Sequence, residues 1–141
     1  MKITTSNTIT SKLYPDVSYT VRSLSEGRRQ QLTTNIQDGT YKMYEYVGQA
    51  NALLPEVEGT KLDQETIWKR TALIEKIDEL TNRVIRPEWV RVYVKEIHGL
   101  EIDGQPATIE SFLSDAPSEM FVECVELIKG QAELSPVEVK N

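Results

Sequence analysis

Two side chains in this sequence could supply a nucleophile and a base. Cys124 is the one thiol and His98 the one imidazole, and covalent catalysis of the cysteine–histidine type needs both groups in contact. Cys124, however, falls on the apolar face of a predicted helix, where a free thiol is usually a small core side chain. His98 has no partner histidine for a metal. We therefore expect no catalytic pair, and a single cysteine excludes both an internal disulfide and a multi-cysteine metal site.

The short motifs of cofactor and substrate chemistry are also missing. The sequence contains no glycine-rich phosphate loop, dinucleotide fingerprint or zinc signature. Adjacent carboxylates such as Asp78 and Glu79 occur on a predicted exposed helical face, where acids meet water and nearby lysines. The sequence thus predicts a protein that is not an enzyme and that has no cofactor or metal.

Interaction chemistry is better represented, mainly by aromatic residues. Three tyrosines between positions 41 and 46 cannot all face one core, and surplus aromatic side chains are often interface anchors. The alternative is that two of them are core residues and one is at the surface. We expect Trp89 in the core because it follows a helix break. The predicted partner-binding residues are Tyr41, Tyr44, Tyr46, Trp68, Leu134, Val137 and Val139.

Length and charge limit the classes of function. A chain of 141 residues with 39% hydrophobic and 27% charged residues has the composition of one globular domain. The net charge of −6 argues against nucleic-acid binding. Residues 96–141 carry two basic against ten acidic residues, which either aids solubility, steers a basic partner or promotes head-to-tail self-association. No signal peptide and no apolar run near the roughly 18 residues of a membrane span is present, so we expect a cytoplasmic protein.

Strand and helix patterns alternate along the first two thirds of the chain. Residues 8–24 predict two strands joined through Pro15-Asp16, with Val17, Tyr19 and Val21 on one face. A helix capped by Ser25 follows, and the Asp38-Gly39 dipeptide either lies inside it or forms the turn of a hairpin. After a loop at residues 54–60, a helix over residues 63–85 is predicted. Its apolar seam, typical of a helical hairpin, consists of Leu73, Ile77, Leu80 and Val84.

The last third combines a short hairpin with shorter helices. Pro87 suits the first turn of a helix that continues through Val94. Residues 98–102 are predicted to pair with residues 105–108 across Asp103-Gly104, a dipeptide favoured in type I′ turns. A helix capped by Thr108 and a final helix ending at Gly130 complete the pattern. The predicted class is α+β, predominantly α, with a long helical hairpin, N-terminal strands and a small β-hairpin.

We expect residues 1–134 to form a single globular domain and residues 135–141 to form a tail. Ser135, Pro136 and Glu138 have the spacing of a helix start, yet only three residues follow. Either this tail folds against a partner, or the reading frame is extended into a longer product. We therefore predict that it lacks order in the isolated protein.

Four segments give the chain a resemblance to the tail assembly chaperones of long-tailed, siphovirus-type bacteriophages. They are residues 21–29 (VRSLSEGRR), 87–90 (PEWV), 99–108 (GLEIDGQPAT) and 134–141 (LSPVEVKN). The resemblance implies a non-enzymatic protein of the host cytoplasm, absent from the mature virion, that binds the tape measure protein and keeps it soluble. It also implies recruitment of the tail tube protein through a longer, frameshifted form. The alternatives are a permanent virion component, such as a head-tail adaptor or tail terminator, and a small phage regulatory protein.

Overall fold

The computed structural model describes the backbone of residues 1–140 and the side chains of residues 1–131. The predicted α+β, mostly helical class is confirmed. The described residues group into two compact units, residues 35–85 and the remainder, and the prediction of one domain over residues 1–134 stays a prediction. The elements are β1 (Ser6–Thr10), β2 (Ser18–Arg22), α1 (Glu26–Ala52), α2 (Gln64–Leu80), a π turn (Thr81–Ile85), α3 (Arg86–Tyr93), β3 (Val94–His98), β4 (Glu101–Ile102), β5 (Gln105–Pro106), α4 (Ile109–Asp115) and α5 (Ser118–Lys140).

An antiparallel sheet of order β1-β2-β3 organises the first unit. β1 and β2 pair in regular register, whereas the β2–β3 pair is irregular between Thr20 and Val21. Val17, Tyr19 and Val21 are all buried, as expected for alternate residues of a strand with one face in the core. The two predicted N-terminal strands and their shared apolar face are therefore confirmed.

The third strand was not predicted, and it corrects the sequence-based boundaries. The helix that was expected to continue through Val94 ends at Tyr93, and β3 begins at Val94. His98, expected in the β-hairpin, lies opposite Ser18 of β2 instead. The hairpin itself is confirmed as β4 and β5, and its turn has positive φ at Asp103 (54°) and Gly104 (76°), as a type I′ turn requires. Pairing between distant strands has no local sequence signal, which is why β3 was missed.

Three helices cover the buried face of the sheet. α3 packs against α5, α4 and β2, and α4 also packs against β3. Thr108 caps α4 as predicted, and the structure adds a capping box: Thr108 Oγ1 accepts from the Ser111 amide, and Ser111 Oγ accepts from the Thr108 amide. The Phe112 ring meets the Tyr19 ring edge-on at 5.8 Å. The side chains that are almost completely buried are Tyr19, Val21, Val90, Tyr93, Val94, Phe112, Cys124, Val125 and Ile128.

The second unit contains an antiparallel helical hairpin of α1 and α2. α1 is continuous through Asp38-Gly39, so the helix alternative is right at that position. Gly39 of α1 lies close to Val84, since a Cβ built there would be 3.0 Å from Val84 Cγ1. At the other end of the hairpin, Arg70 Nε donates to the Ala50 carbonyl oxygen at 3.1 Å. The predicted hairpin is thereby confirmed.

Pro87 shapes the junction between α2 and α3. The sequence predicts a helix break at Arg86-Pro87, but the chain remains helical and instead widens into the π turn just before Pro87. Proline has no amide hydrogen, and its ring clashes with the carbonyl four residues earlier, here that of Arg83. A local π turn relieves that clash without ending the helix.

The final helix also differs from its predicted end. α5 continues through Gly130, which is not among the glycines with positive φ. A glycine ends a helix by adopting a left-handed conformation, and Gly130 does not do so. The backbone of α5 also continues through Lys140, so Ser135 lies inside a helix and does not begin one, contrary to the prediction. The prediction that residues 135–141 lack order in the isolated protein stays a prediction. Within the described part of the chain, no helix is both long and apolar enough to cross a bilayer.

Candidate interaction surface of the helical hairpin

The hairpin of α1 and α2 has two chemically different sides. The residues of each helix that face the other helix are here called seam residues. A residue that directly follows a seam residue in sequence is turned toward one side of the hairpin, and a residue that directly precedes one is turned toward the opposite side. Because the helices are antiparallel, the same rotation brings both helices' residues to the same side. The seam residues that set this register are half-buried or buried: Met43, Tyr46, Ala50, Thr66, Arg70, Leu73, Ile77, Leu80 and Val84.

One side of the hairpin, here called the uncharged flank, carries apolar and neutral polar side chains. Each helix contributes three exposed residues at spacings of three and four, so each trio forms a continuous row along its helix. Among the six, the exposed fraction is 64% for Tyr44, 42% for Ile67 and 43% for Ile74. Asp78 is the first charged residue beyond Ile74 on this side of α2. The uncharged flank consists of Tyr44, Val47, Asn51, Ile67, Thr71 and Ile74.

The opposite side, here called the charged flank, carries lysines and an arginine around one tyrosine. The ammonium groups of Lys42 and Lys76 lie 5.6 and 5.4 Å from the centre of the Tyr46 ring, within cation–π distance. A groove of about 340 Å³ runs beside this ring, and Arg83 is part of its lining. Glu79 also lines the groove, and three acids on this side pair with its cations: Lys42 with Glu45 at 3.7 Å, Lys69 with Glu65 at 3.2 Å and Arg83 with Glu79 at 3.1 Å. This flank therefore carries charges of both signs, unlike the uncharged flank.

The structure does not bring the predicted partner-binding residues together on one face. Tyr44 belongs to the uncharged flank, and Tyr46 is a half-buried seam residue whose ring borders the charged flank. Tyr41 is 63% exposed and accepts from Gln37 Nε2 at 3.2 Å. Trp68 is 67% exposed and points away from the seam of α2. The remaining three predicted residues have side chains outside those described: Leu134, Val137 and Val139.

Sequence reasoning missed the aliphatic part of the uncharged flank. Val47, Ile67 and Ile74 have apolar side chains that the pattern could equally assign to the core. The available signal was their position one residue after the seam residues Tyr46, Thr66 and Leu73, but the seam of α1 became certain only with the structure. Trp89, expected in the core, is half-buried, with its ring 5.5 Å from that of Tyr93.

The two groups considered for catalysis lie in unrelated surroundings. Cys124 is 1% exposed, and burial, with a smaller contribution from the negative charge of Glu123, raises its pKa to about 12. Such a thiol is protonated at neutral pH and is a poor nucleophile. His98 is exposed, with its Nε2 2.8 Å from Thr20 Oγ1 and 3.5 Å from a Glu96 carboxylate oxygen. Among the described residues, no cluster of side chains is suited to a metal ion.

Glu123 connects α5 to the loop between β1 and β2. Its carboxylate accepts from the Ser11 hydroxyl and, at 3.0 Å each, from the amides of Lys12 and Leu13. Partial burial opposes the charged form, but the Ser11 hydroxyl and the Leu13 and Lys12 amides outweigh it, so the pKa of Glu123 is lowered. One side chain of α5 thereby fixes the loop between β1 and β2.

We expect this contact to make the stability of the first unit pH-dependent. Because the folded-state pKa of Glu123 lies below its unfolded value of roughly 4.3, its contribution is fully present above that pH and is lost as the pH falls through the lower, folded-state pKa. Glu123→Gln should lower the free energy of unfolding by about 1–2 kcal/mol at pH 7, as expected for lost charge-assisted hydrogen bonds. The urea midpoint of this variant should also fall less than that of the wild type between pH 7 and pH 3. Glu126→Gln on the same helix is the control. If the urea midpoint falls equally for Glu123→Gln and wild type between pH 7 and pH 3, this prediction is wrong.

Comparison with known proteins gives no match to a protein-family model, to a curated protein or to a solved structure. Support for a function therefore comes from the two flanks of the hairpin and from the segments that carry the phage resemblance.

Proposed function

We propose that this chain is a non-enzymatic tail assembly chaperone of a long-tailed bacteriophage. It binds the tape measure protein in the host cytoplasm, keeps it soluble and helps to recruit tail tube subunits. The four segments that resemble such chaperones support this proposal, and the observation that carries it is the uncharged flank of the hairpin. The protein is not retained in the finished virion.

The uncharged flank has the composition of a docking surface for a helix. Interface centres are depleted in charged residues and enriched in tyrosine and other large side chains, and the flank presents Tyr44 beside Ile67 and Ile74 with no charge among its six members. The two rows are formed by neighbouring antiparallel helices, and an amphipathic helix packs well along such a pair by placing residues at i, i+3, i+4 and i+7 between the rows.

A tape measure protein is a suitable partner because it is long and helical. Its exposed apolar stripes would otherwise associate with one another, and many chaperone copies could cover them side by side. Along one polymer, each contact can be weak while the whole array binds tightly. Release then requires only competition from tail tube subunits, which a longer, frameshifted form of the chaperone would bring to the complex.

The test is co-expression with a fragment of the tape measure protein from the same phage, scored by the fraction of that fragment that stays soluble. The wild-type chain should keep the fragment in the supernatant. The double variant Tyr44→Glu/Ile74→Glu puts two negative charges on the uncharged flank and should reduce the soluble fraction by about tenfold, because burying an unpaired carboxylate is costly.

A matched control separates the surface from the function. Gln49→Glu/Ala72→Glu adds the same two charges at exposed positions that precede seam residues and therefore lie on the charged flank; it should behave as wild type. If the fragment is insoluble with the wild-type chain, the proposed function is wrong. If both double variants keep the fragment soluble, the function holds but the uncharged flank is not the binding surface.

A further inference from the structure

β1 is an edge strand of the three-stranded sheet. Within the described part of the chain, β2 pairs with one side of β1 and no strand pairs with the other. Edge strands expose a row of amide and carbonyl groups to which another strand can add. Charged residues and prolines commonly prevent such pairing, but the sequence of β1, SNTIT, contains neither. This edge is therefore open to strand addition.

The direction of the backbone groups follows from the contacts at the two ends of β1. The Ser11 amide donates to the Val17 carbonyl oxygen at 2.9 Å, and the Ser23 amide donates to the Thr5 carbonyl oxygen at 2.8 Å. Residues 5 and 11 thus bond toward β2, and in a regular antiparallel ladder every second residue between them does the same. The alternate residues direct their amide and carbonyl groups to the free edge: Ser6, Thr8 and Thr10.

The Thr8 amide supports this orientation. It donates to Oδ1 of the neighbouring Asn7 at 3.0 Å in an exposed contact, so it faces away from β2. A carbonyl oxygen of an added strand can replace that side-chain oxygen, because the exposed Asn7 amide group can bond to water instead. Strand addition therefore leaves no backbone donor of Thr8 without an acceptor.

The opposite edge of the sheet is protected. α4 packs against β3, and β3 carries the charged residues Lys95 and Glu96, which discourage pairing at an edge. Among the residues that the structure describes, this sheet thus has one open edge. A contact made by the same edge of two copies closes on itself, so it ends at a dimer.

We propose that β1 pairs with β1 of a second copy of this chain, antiparallel and about a two-fold axis at Thr8. In this register Thr8 lies opposite Thr8 of the second copy, and Ser6 lies opposite its Thr10. All three outward-directed residues then form pairs that exchange both of their backbone hydrogen bonds, whereas a shift by two residues would lose one of these pairs. No like charges meet, because β1 is neutral.

The added strand would also cover an apolar groove beside β1. This groove of about 460 Å³ is lined by Ile9 of β1 and by Leu127 and Gly130 of α5. Ile9 lies opposite the buried Tyr19 of β2, so it is on the face of the sheet that the helices cover. On the other face, the hydroxyl groups of the paired serine and threonine residues can hydrogen-bond across the strands.

Light scattering during size-exclusion chromatography tests this contact on the purified full-length chain at about 0.1 mM protein. We expect the mass of a dimer at about 150 mM salt, which screens the net negative charge of the copies. A wild-type chain that stays monomeric would overturn the proposal. No partner protein is present in this experiment, so its failure would leave the proposed function untouched.

Thr8→Pro tests the backbone pairing. Proline is tolerated on an edge strand where its missing amide faces away from the sheet, so β1–β2 pairing should persist. The substitution removes the donors of both copies at the axis and should lower the association constant at least about tenfold. Thr8→Val keeps the amide and should associate within about threefold of wild type. Equal association by the proline and valine variants would refute pairing through this edge.

Charges at Thr8 test the position of the axis. Thr8→Lys and Thr8→Glu each put like charges directly opposite each other, whereas a mixture of the two variants places opposite charges there. The mixed dimer should therefore form at least about fivefold more tightly than either variant associates with itself. Thr33→Lys with Thr33→Glu is the control, since Thr33 is an exposed threonine of α1 in the same unit. An equal preference in both mixtures would rule out an axis at Thr8.

Discussion

Replacing Gly99 with alanine is expected to destabilise the first unit by roughly 3 kcal/mol or more. Gly99 follows β3 with a φ of 76°, and a Cβ built there would lie 1.8 Å from the Asp16 carbonyl oxygen. That atom belongs to the backbone of the loop that Glu123 fixes, so it cannot move away as the end of a flexible side chain could. Either this loop or the end of β3 must shift, and β2–β3 pairing weakens with it.

Gly104 provides a matched control for Gly99. It has the same φ of 76°, but a Cβ there would meet nothing within 4 Å. Gly104→Ala should therefore cost only the left-handed backbone conformation, about 1–2 kcal/mol. The difference between the two variants isolates the clash with Asp16, and equal losses in both would show that the close approach has no energetic consequence.

Urea unfolding followed by Trp89 fluorescence is a suitable measurement for both glycine variants. The chain has two tryptophans, of which Trp89 lies in the first unit and Trp68 in the second. Trp68 is largely exposed, so Trp68→Phe provides a background in which only the first unit is observed. Free energies of unfolding from linear extrapolation can then be compared at constant m-value.

Phe112→Ala is expected to cost about 3–5 kcal/mol in the same assay. Phe112 is completely buried, and its ring forms the edge-on contact with Tyr19 described above, so the variant loses apolar burial, an aromatic pair and the packing around the resulting cavity. Because α4 packs on both α3 and β3, the cavity would lie where these elements meet.

Phe121→Ala is the control for this core substitution. Phe121 is the other phenylalanine of the chain and is only half-buried on α5, so the same change in chemistry should cost about 1–2 kcal/mol. Similar losses for Phe112→Ala and Phe121→Ala would contradict the position of Phe112 at the centre of the core. A stable Phe112→Ala protein with wild-type midpoint would contradict it more directly.

The two flanks of the hairpin connect the fold with the proposed function. A hairpin of two helices cannot bury all of its apolar residues. In the second unit, Gly39 and Ala50 are the only residues that are buried. What remains exposed is sorted by side, with Tyr44, Ile67 and Ile74 on one flank and the lysines on the other. The uncharged flank therefore offers a partner helix a surface that contains no charged side chain.

Local features were the most predictable from the sequence. The caps at Ser25, Asp63 and Thr108 are formed with backbone amides three residues later, because capping depends only on neighbouring residues. The Asp103-Gly104 turn and the buried face of β2 were predicted for the same reason. The seam of α2 was also predicted, since one helix presents its apolar period within a short stretch of sequence.

Non-local features were decided only by the tertiary structure. Val94 begins a strand because β2, more than 70 residues earlier, provides the hydrogen-bonding partners, and no local pattern records that pairing. Which side of α1 faces α2, with Gly39 close to Val84, decides which tyrosine is exposed on which flank. The sequence by itself determined the helical and strand periods, the caps, the turn and the lack of catalytic motifs, because these depend on nearby residues. Which side chains share a surface depends on how distant elements pack, and for that reason only the tertiary structure separated the uncharged flank from the charged one.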